Sequence, residues 1–357
     1  MTKIDDVARL AGVSTATVSR ALRGLPTVSA ATRRRVLAAA EQLQYAVSPS
    51  ASRLAGGKTG TVGVVVPRIT RWFFGTVVEA VEDFLHEHGY DLLLYNLGGR
   101  EQTRQRVLRT ANLDKRMDAI ILVATPLRPA DVSALTRLAL PGVTISSGSG
   151  VPGWPRVRID DVAAARTATR HLLDLGHTRI AHISGDPDDE LAFTTHLDRR
   201  RGYQDALRGA GIRPDPSLDV ESQFTIDGGI RATAELLARG EPPTAIFAAC
   251  DEMAMGAMTA LRDAGLRVPH DVSVIGVDDH DLAGVLGLST VAQPAAEQGL
   301  LAARILLDPL GVRTAEPYPG VVPRQRIGDA DGDPPTPSVI LPTRLVVRES
   351  TAPPRAH

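Results

Sequence analysis

Cysteine, lysine and long apolar runs are what this chain goes without. Its one thiol, Cys250, can form no internal disulfide, so nothing calls for an oxidising compartment. No apolar run approaches the ~18 residues of a membrane span. The opening MTKIDDVARL puts two acids where a signal peptide requires an apolar stretch. The expectation is a cytoplasmic protein with no membrane partner. No glycine-rich phosphate loop, Cys/His metal spacing or nucleophile elbow occurs, so neither a cofactor nor enzymatic chemistry is expected. His171, His177 and His182 are close in sequence, but the pattern puts them on a helix, a turn and a strand, which argues against a shared metal. Lysine is confined to Lys3, Lys58 and Lys115 among 40 basic residues; beside so much Ala, Gly and Pro, this reflects composition and carries no function. What is present is ordinary for a folded protein, with 43% apolar and 23% charged residues. A length of 357 residues suggests two or three domains.

Charge is unevenly spread. Residues 1–60 hold nine basic residues against Asp5, Asp6 and Glu41, a net of +6, while the rest of the chain carries −7. A basic head on an acidic body suits a polyanionic partner. Three short helices fit that head. Ile4–Ala11 presents Ile4, Val7, Ala8 and Ala11 on one face and is broken by Gly12; Ser14 caps a second helix, Thr15–Leu22; Ser29 caps a third that runs to Leu43. Residues 6–24, DVARLAGVSTATVSRALRG, fit a helix-turn-helix. Ala8 must be small where the second helix packs, Gly12 permits the turn, and Val13 and Val18 fill the space between helices. In this motif the second helix enters the DNA major groove N-terminus first. Thr15, Ala16, Ser19 and Arg20 are then its exposed positions, with Thr17 among them as a contact, and Arg20 carries the fork that reads guanine. Ser14, Thr27, Ser29 and the Arg33–Arg35 cluster suit phosphates, which position without specifying. A purely structural three-helix bundle would explain the apolar positions but neither the +6 charge nor the exposed Ser/Thr/Arg face. The expected partner is double-stranded DNA.

From Thr61 the pattern changes. Apolar runs of strand length (61–67, 91–96, 118–124, 142–146, then 179–185, 218–221, 244–250 and 271–277) alternate with helical stretches, among them Phe74–His88, Glu101–Leu113, Val162–Leu175, Arg201–Gly209, Ile226–Ala238, Asp251–Asp263 and Ala295–Leu307. Continuous apolar strands separated by helices mean parallel sheets covered on both faces. The fold expected is a small all-α headpiece followed by a two-lobed α/β core. Its parts are a headpiece over 1–47, a hinge helix or linker over 48–60, and a core over 61–357. Lobe one takes 61–160 and about 292–320; lobe two takes 162–288 and about 338–350. SVILP and RLVVRES read as a terminal strand pair, and 311–337 as a long surface loop. Ligands of such sheets sit at the carboxyl ends of the strands, here facing one cleft.

These motifs, in this order, resemble the LacI-type family of bacterial transcription regulators. DVARLAGVSTATVSRAL is similar to the family's headpiece, VSAATRRRVLAAAEQLQY to its third helix and SASRLAGGKT to its hinge helix. LLDLGHTRIAHISG, DRRRGYQDAL, CDEMAMGAM and DVSVIGVDD are similar to its effector-binding core, whose lobes are of the type I periplasmic-binding-protein kind. The resemblance makes Leu54 the hinge leucine that wedges into the minor groove and bends the DNA. Pro49 stands about two residues later than the family often has its hinge proline. For the effector, the resemblance implies Phe73 and Phe74 after strand one, Thr125 after strand three and Asp160 at the end of VRID. It adds Arg199 with Asp160 as its neutralising partner, Phe224, Asp278 and Gln293. Cys250 stands where the family commonly has Asn or Ser, and is expected to be a buried, inert thiol near the pocket.

Planar polar groups with aromatic walls suit a carbohydrate; a nucleobase or nucleoside is the alternative effector. A sugar-binding protein without regulatory role would need a signal peptide and would lack the basic head. The reading is therefore a ligand-responsive regulator, a repressor by family habit, acting as a homodimer on a palindromic operator. In helix 251–263, Met255 and Met258 lie three apart and form one stripe. Family analogy puts this helix at the dimer interface, and Met255 in the contact. The ending STAPPRAH, with its two prolines, carries no helical heptad, so a dimer and not a tetramer is expected.

Overall fold

Short apolar helices build the first unit. The computed structural model describes residues 3–22, 26–45, 58–109, 113–146, 150–185, 194–312 and 338–355. Contacts divide the chain into residues 1–61 with 115–118, and the remainder. In the first unit, helices α1 (Ile4–Ala11), α2 (Thr15–Leu22) and α3 (Ala30–Gln42) enclose a small core. Helix α1 opens with the Lys3 N–H on Asp6 Oδ2 at 2.9 Å and ends at Gly12, whose φ of 64° is the left-handed turn a side chain would strain. Ser14 Oγ accepts from the Thr17 N–H at 3.2 Å to start α2. Ser29 Oγ does the same for Thr32 at 3.2 Å to start α3. Val7, Val18 and Val36 are fully buried at the centre, each contributing about 1.5–3 kcal/mol by leaving water. Asp118 belongs to this unit as well, its carboxylate accepting from the Thr59 and Gly60 N–H groups at 2.6 and 2.7 Å. The expected hinge helix with Pro49 and Leu54, and residues 313–337 of the expected loop, lie outside the described residues.

The second unit is built on two six-stranded sheets. The first has the order β11-β5-β4-β3-β1-β2, where β1 is Thr61–Val66, β2 Asp91–Asn96, β3 Ala119–Val123, β4 Gly142–Ile145, β5 Arg156–Ile159 and β11 Ser338–Leu341. The second has the order β12-β10-β9-β8-β6-β7, with β6 Ile180–Gly185, β7 Asp219–Ser222, β8 Ala245–Ala248, β9 Ser273–Asp278, β10 Ser289–Ala292 and β12 Arg344–Val346. Pairing is parallel from β11 through to β1 and from β10 through to β7, as in Val62↔Ala119 and Ile180↔Ala245, while β12 runs antiparallel to β10. Strands β1, β3, β4, β6, β8 and β9 are almost wholly buried, which explains their unbroken apolar runs. The helices are α4 (Trp72–Glu87), α5 (Glu101–Leu108), α6 (Pro129–Leu138), α7 (Asp161–Asp174), α8 (Thr195–Gly209), α9 (Ile226–Ala238), α10 (Asp251–Asp263) and α11 (Ala295–Leu307). They pack pairwise, α4 on α11 in the first lobe, and α7 on α8 and α9 on α10 in the second. Among the described residues no helix is long and apolar enough to cross a membrane, and no group of three metal-ligating side chains forms.

Three of the sequence expectations need correction here. SVILP and RLVVRES do not pair with each other: β11 joins β5 in the first sheet, and β12 joins β10 in the second. Residues 338–341 thus belong to the first lobe and not the second. Helix α5 stops at Leu108 rather than Leu113, and α8 begins at Thr195 rather than Arg201. The chain passes between lobes at Asp160, at residues 293–294 and at residues 342–343.

Candidate functional site

Two sets of residues concern function. In the first unit, Ser14, Thr15, Ala16, Arg20, Thr27 and Ser29 are exposed, and Thr17 and Ser19 half-buried. The hydroxyls of Ser14 and Thr17 bond each other at 2.9 Å, and that of Ser29 donates to Thr32 at 3.0 Å, so these side chains also fix the helix starts. Arg20, Arg34 and Arg35 extend into solvent. The face offered is cationic and carries short polar groups.

In the second unit, a cavity of ≈160 Å³ lies where strands of both sheets end. Its walls are the aromatic rings of Trp72, Phe73, Phe74 and Phe224. Phe73 and Phe74 meet edge to face at 5.5 Å. Phe224 sits where Gly185 leaves room: a Cβ there would stand 2.2 Å from its ring. Ala124, Ser146 and Asp278, each ending a strand of the cavity wall, have φ of 39°, 48° and 142°. Non-glycine residues adopt such values rarely, and they gather at functional sites.

Arg199, 4% exposed, is the charged centre. Its Nε donates to Asp161 Oδ1 at 2.8 Å, one Nη donates to the Ala249 carbonyl, and the same nitrogen lies 3.8 Å from Asp278. Burial pulls the guanidinium pKa down, but Asp161 and Asp278 outweigh it and hold the group charged. Asp278 goes the other way. Burial raises it to about 7, against the pull of Arg199 and with a further push from Asp251. Asp251, buried in the same region, is raised to about 6, again mainly by burial. Gln293 Nε2 donates to Asp278 at 2.6 Å, and Gln293 Oε1 accepts from Gln298 Nε2 at 3.1 Å; Gln298 Oε1 in turn accepts from the Ser146 hydroxyl at 2.8 Å. A continuous polar chain therefore runs from β4 of one lobe through the second crossing to Arg199 and Asp161 of the other. Burial raises the Cys250 thiol well above its usual range, so it is protonated and unreactive at the cavity wall.

The structure brings Phe73, Phe74, Arg199, Phe224, Asp278 and Gln293 together around this cavity. It does not place Asp160 or Thr125 there. Asp160 is exposed and caps α7 by accepting from the Ala163 N–H at 2.9 Å. The acid on Arg199 is its neighbour, Asp161. Thr125 is fully buried with its hydroxyl on the Val123 carbonyl at 3.0 Å, and Ala124 lines the cavity instead. Arg68, Arg71, Trp72, Ser146, Gln223 and Glu252 are liners that the sequence reading did not name. Only the strand-end rule pointed toward them. Met255 is 5% exposed, packed with Met253 in its own lobe, and has little surface left for a partner; Met258 is half-buried.

Comparison with known proteins gives matches at both ends of the chain. Residues 3–48 match the family model for bacterial regulatory proteins, lacI family, and residues 169–351 match that for a periplasmic binding protein-like domain. Over 315 residues the chain is 36% identical to catabolite control protein A of Priestia megaterium, covering 88% of this chain and 94% of that protein. Among solved structures, the transcriptional regulator CelR–cellobiose complex is 32% identical with a TM-score of 0.68, covering 98% of this chain and 100% of that one. The lac repressor dimer bound to operator and the anti-inducer ONPF is 27% identical with a TM-score of 0.79, covering 98% and 99%.

Proposed function

Because the chain belongs to the lacI family of bacterial regulatory proteins, we propose that it represses transcription from a palindromic operator under control of a one-ring sugar bound between its lobes. It is a DNA-binding transcription regulator and not an enzyme. The observation that carries the effector reading is Arg199, buried between Asp161 and Asp278 and facing aromatic walls. A sugar ring has hydroxyls at its edge for the guanidinium and carboxylates, and apolar faces for Trp72, Phe73, Phe74 and Phe224. Volume sets the size, since a cavity of ~150 Å³ in another protein holds one benzene ring. The CelR complex contains cellobiose, a relative's carbohydrate that supports the same class here. Four aromatic rings around one cavity favour, as a second reading, a nucleobase or nucleoside.

DNA contact is assigned to Ser14, Thr15, Ala16, Thr17, Ser19, Arg20, Thr27 and Ser29, with Leu54 at the hinge. One headpiece offers few base contacts, so two are needed on symmetric half-sites. Support for a dimer comes from the segment after β9, where Leu282, Val285 and Leu286 are 48%, 81% and 44% exposed; apolar patches of this kind mark interfaces. The place of action is the cytoplasm, with the DNA. Sequencing the DNA captured by the purified protein gives the operator. A gel-shift titration with sugars and nucleosides then reads the effector class. Release or tightening by a monosaccharide supports the first reading and by a nucleoside the second, while operator binding indifferent to both panels overturns the effector assignment.

A further inference from the structure

Helix α4 starts at the cavity without a cap of its own. Its N-cap residue is Arg71, a side chain that only donates hydrogen bonds, so it leaves the first N–H groups of the helix unserved. Glu252, on the first turn of α10, faces this helix start from the other lobe; burial raises its carboxyl, while Arg71 and the Trp72 backbone N–H pull it back down. Arg71 Nη1 stands 3.8 Å from the same carboxylate, and the two side chains are only 30% and 16% exposed. Alongside, the Trp72 ring lies against the imidazole of His280, centroids 5.3 Å apart and planes inclined by 31°. His280 follows β9 in the second lobe, and its backbone N–H is held by Asp251 at 2.9 Å. Two consecutive residues of one lobe therefore each make a contact with the other, and neither contact lies at a point where the chain itself crosses.

Each contact is favourable in kind. A carboxylate at a helix N-terminus meets the positive end of the helix dipole, a partly desolvated ion pair is stronger than an exposed one, and stacked rings add dispersion. Trp72 also lines the cavity, and its indole Nε1 is buried with no hydrogen-bond partner among the described residues. Buried donors of this sort call for an acceptor.

We propose that Arg71 and Trp72 clasp Glu252 and His280 across the mouth of the cleft. The clasp holds the two lobes together and fixes Trp72 against the cavity. Glu252 and His280 are positioning residues acting through Trp72. The purpose of the clasp rests on the cleft being the effector site, but the clasp itself is readable without any effector.

The chain has two tryptophans, so Trp154→Phe leaves Trp72 as the sole emitter in the full-length protein. Its acrylamide quenching is measured in that background alone, and with Glu252→Ala, Arg71→Ala and both together. Losing a partly desolvated ion pair shifts a closed–open balance by a factor of up to about five. Glu252→Ala should therefore raise the quenching constant severalfold and shift emission to the red. Arg71→Ala should raise it less. The double variant should not exceed Glu252→Ala, because both act through one contact. The companion protein with Trp72→Phe reports Trp154, 7% exposed, and its quenching should stay constant across the series. Should Trp154 become accessible, the fold has been disturbed and Glu252→Gln, which keeps the shape but drops the charge, replaces Glu252→Ala. Equal quenching of Trp72 with and without the Glu252 carboxylate, or full additivity of the two single effects, overturns the clasp.

Discussion

Asp278→Asn tests how the polar centre of the cleft is balanced. Two effects compete at Asp278: burial, which favours the neutral acid, and Arg199 at 3.8 Å, which favours the carboxylate. Arg199 is shared with Asp161 at the shorter distance of 2.8 Å, so burial wins and the pKa rises from 3.8 to about 7. A raised pKa means the folded protein holds this proton more tightly than the unfolded chain. The resulting stability is complete below about pH 4, declines as pH climbs, and is gone above about 7. Three pH units at ~1.4 kcal/mol each give about 4 kcal/mol as the most this group can supply. Asn cannot titrate, yet its oxygen still accepts from Gln293. Urea unfolding of parent and variant at intervals between pH 4 and 8 reads the difference directly. The parent should lose up to ~4 kcal/mol relative to the variant between pH 4 and 7, and nothing further above that. A difference that is level from pH 4 to 8 would show that Arg199 outweighs burial and moves the titration below this window, and that result refutes the reasoning.

Other substitutions probe the remaining surfaces. Arg20→Ala should cost about 1–3 kcal/mol in operator binding and blunt discrimination between bases; equal gel-shift curves for mutant and parent would end that role for Arg20. Gly185→Ala puts a methyl 2.2 Å from the Phe224 ring and 2.7 Å from the His196 Cβ. Displacing them should cost about 1–3 kcal/mol, read as a lowered melting temperature. Val285→Asp places a charge on the most exposed apolar side chain of the segment after β9. Light scattering should show the mass per particle falling toward one chain, with tight operator binding lost. A monomeric parent that still grips a full operator would contradict it.

Much of the fold was legible because the signals were local. The caps Ser14 and Ser29, the glycine turn at Gly12 and the apolar periodicity of α9, α10 and α11 need no knowledge of neighbours, and these elements lie where the pattern put them. The errors came where a distant partner decides. SVILP and RLVVRES look like a hairpin across a short Pro-Thr link, but each strand is claimed by a different sheet. The first turns of α8 read THLDRRR, polar enough to hide a helix whose buried side chains include His196 and Arg199. At the site, two expectations missed by one residue, Asp160 for Asp161 and Thr125 for Ala124. Where a strand ends, successive side chains point to opposite sides, so an offset of one exchanges a cavity liner for a cap or a core residue. Trp72, Arg71 and Glu252 showed no pattern at all, because their meaning lies in meeting across the cleft.

The outermost strand of the first sheet has a consequence for how the protein is made. Ser338 pairs beside Arg156, 182 positions earlier in the chain. While a ribosome synthesises the protein, the first lobe must wait for nearly all of the second before its sheet has an edge, and β12 then follows β11 after two residues. Both lobes are thus completed by one last short stretch of translation, and such long-range pairing is slow. A nascent chain stalled before Ser338 would present the bare edges of β5 and β10 together. Unpaired edges template aggregation, so premature termination here is expected to yield insoluble protein rather than a working single lobe.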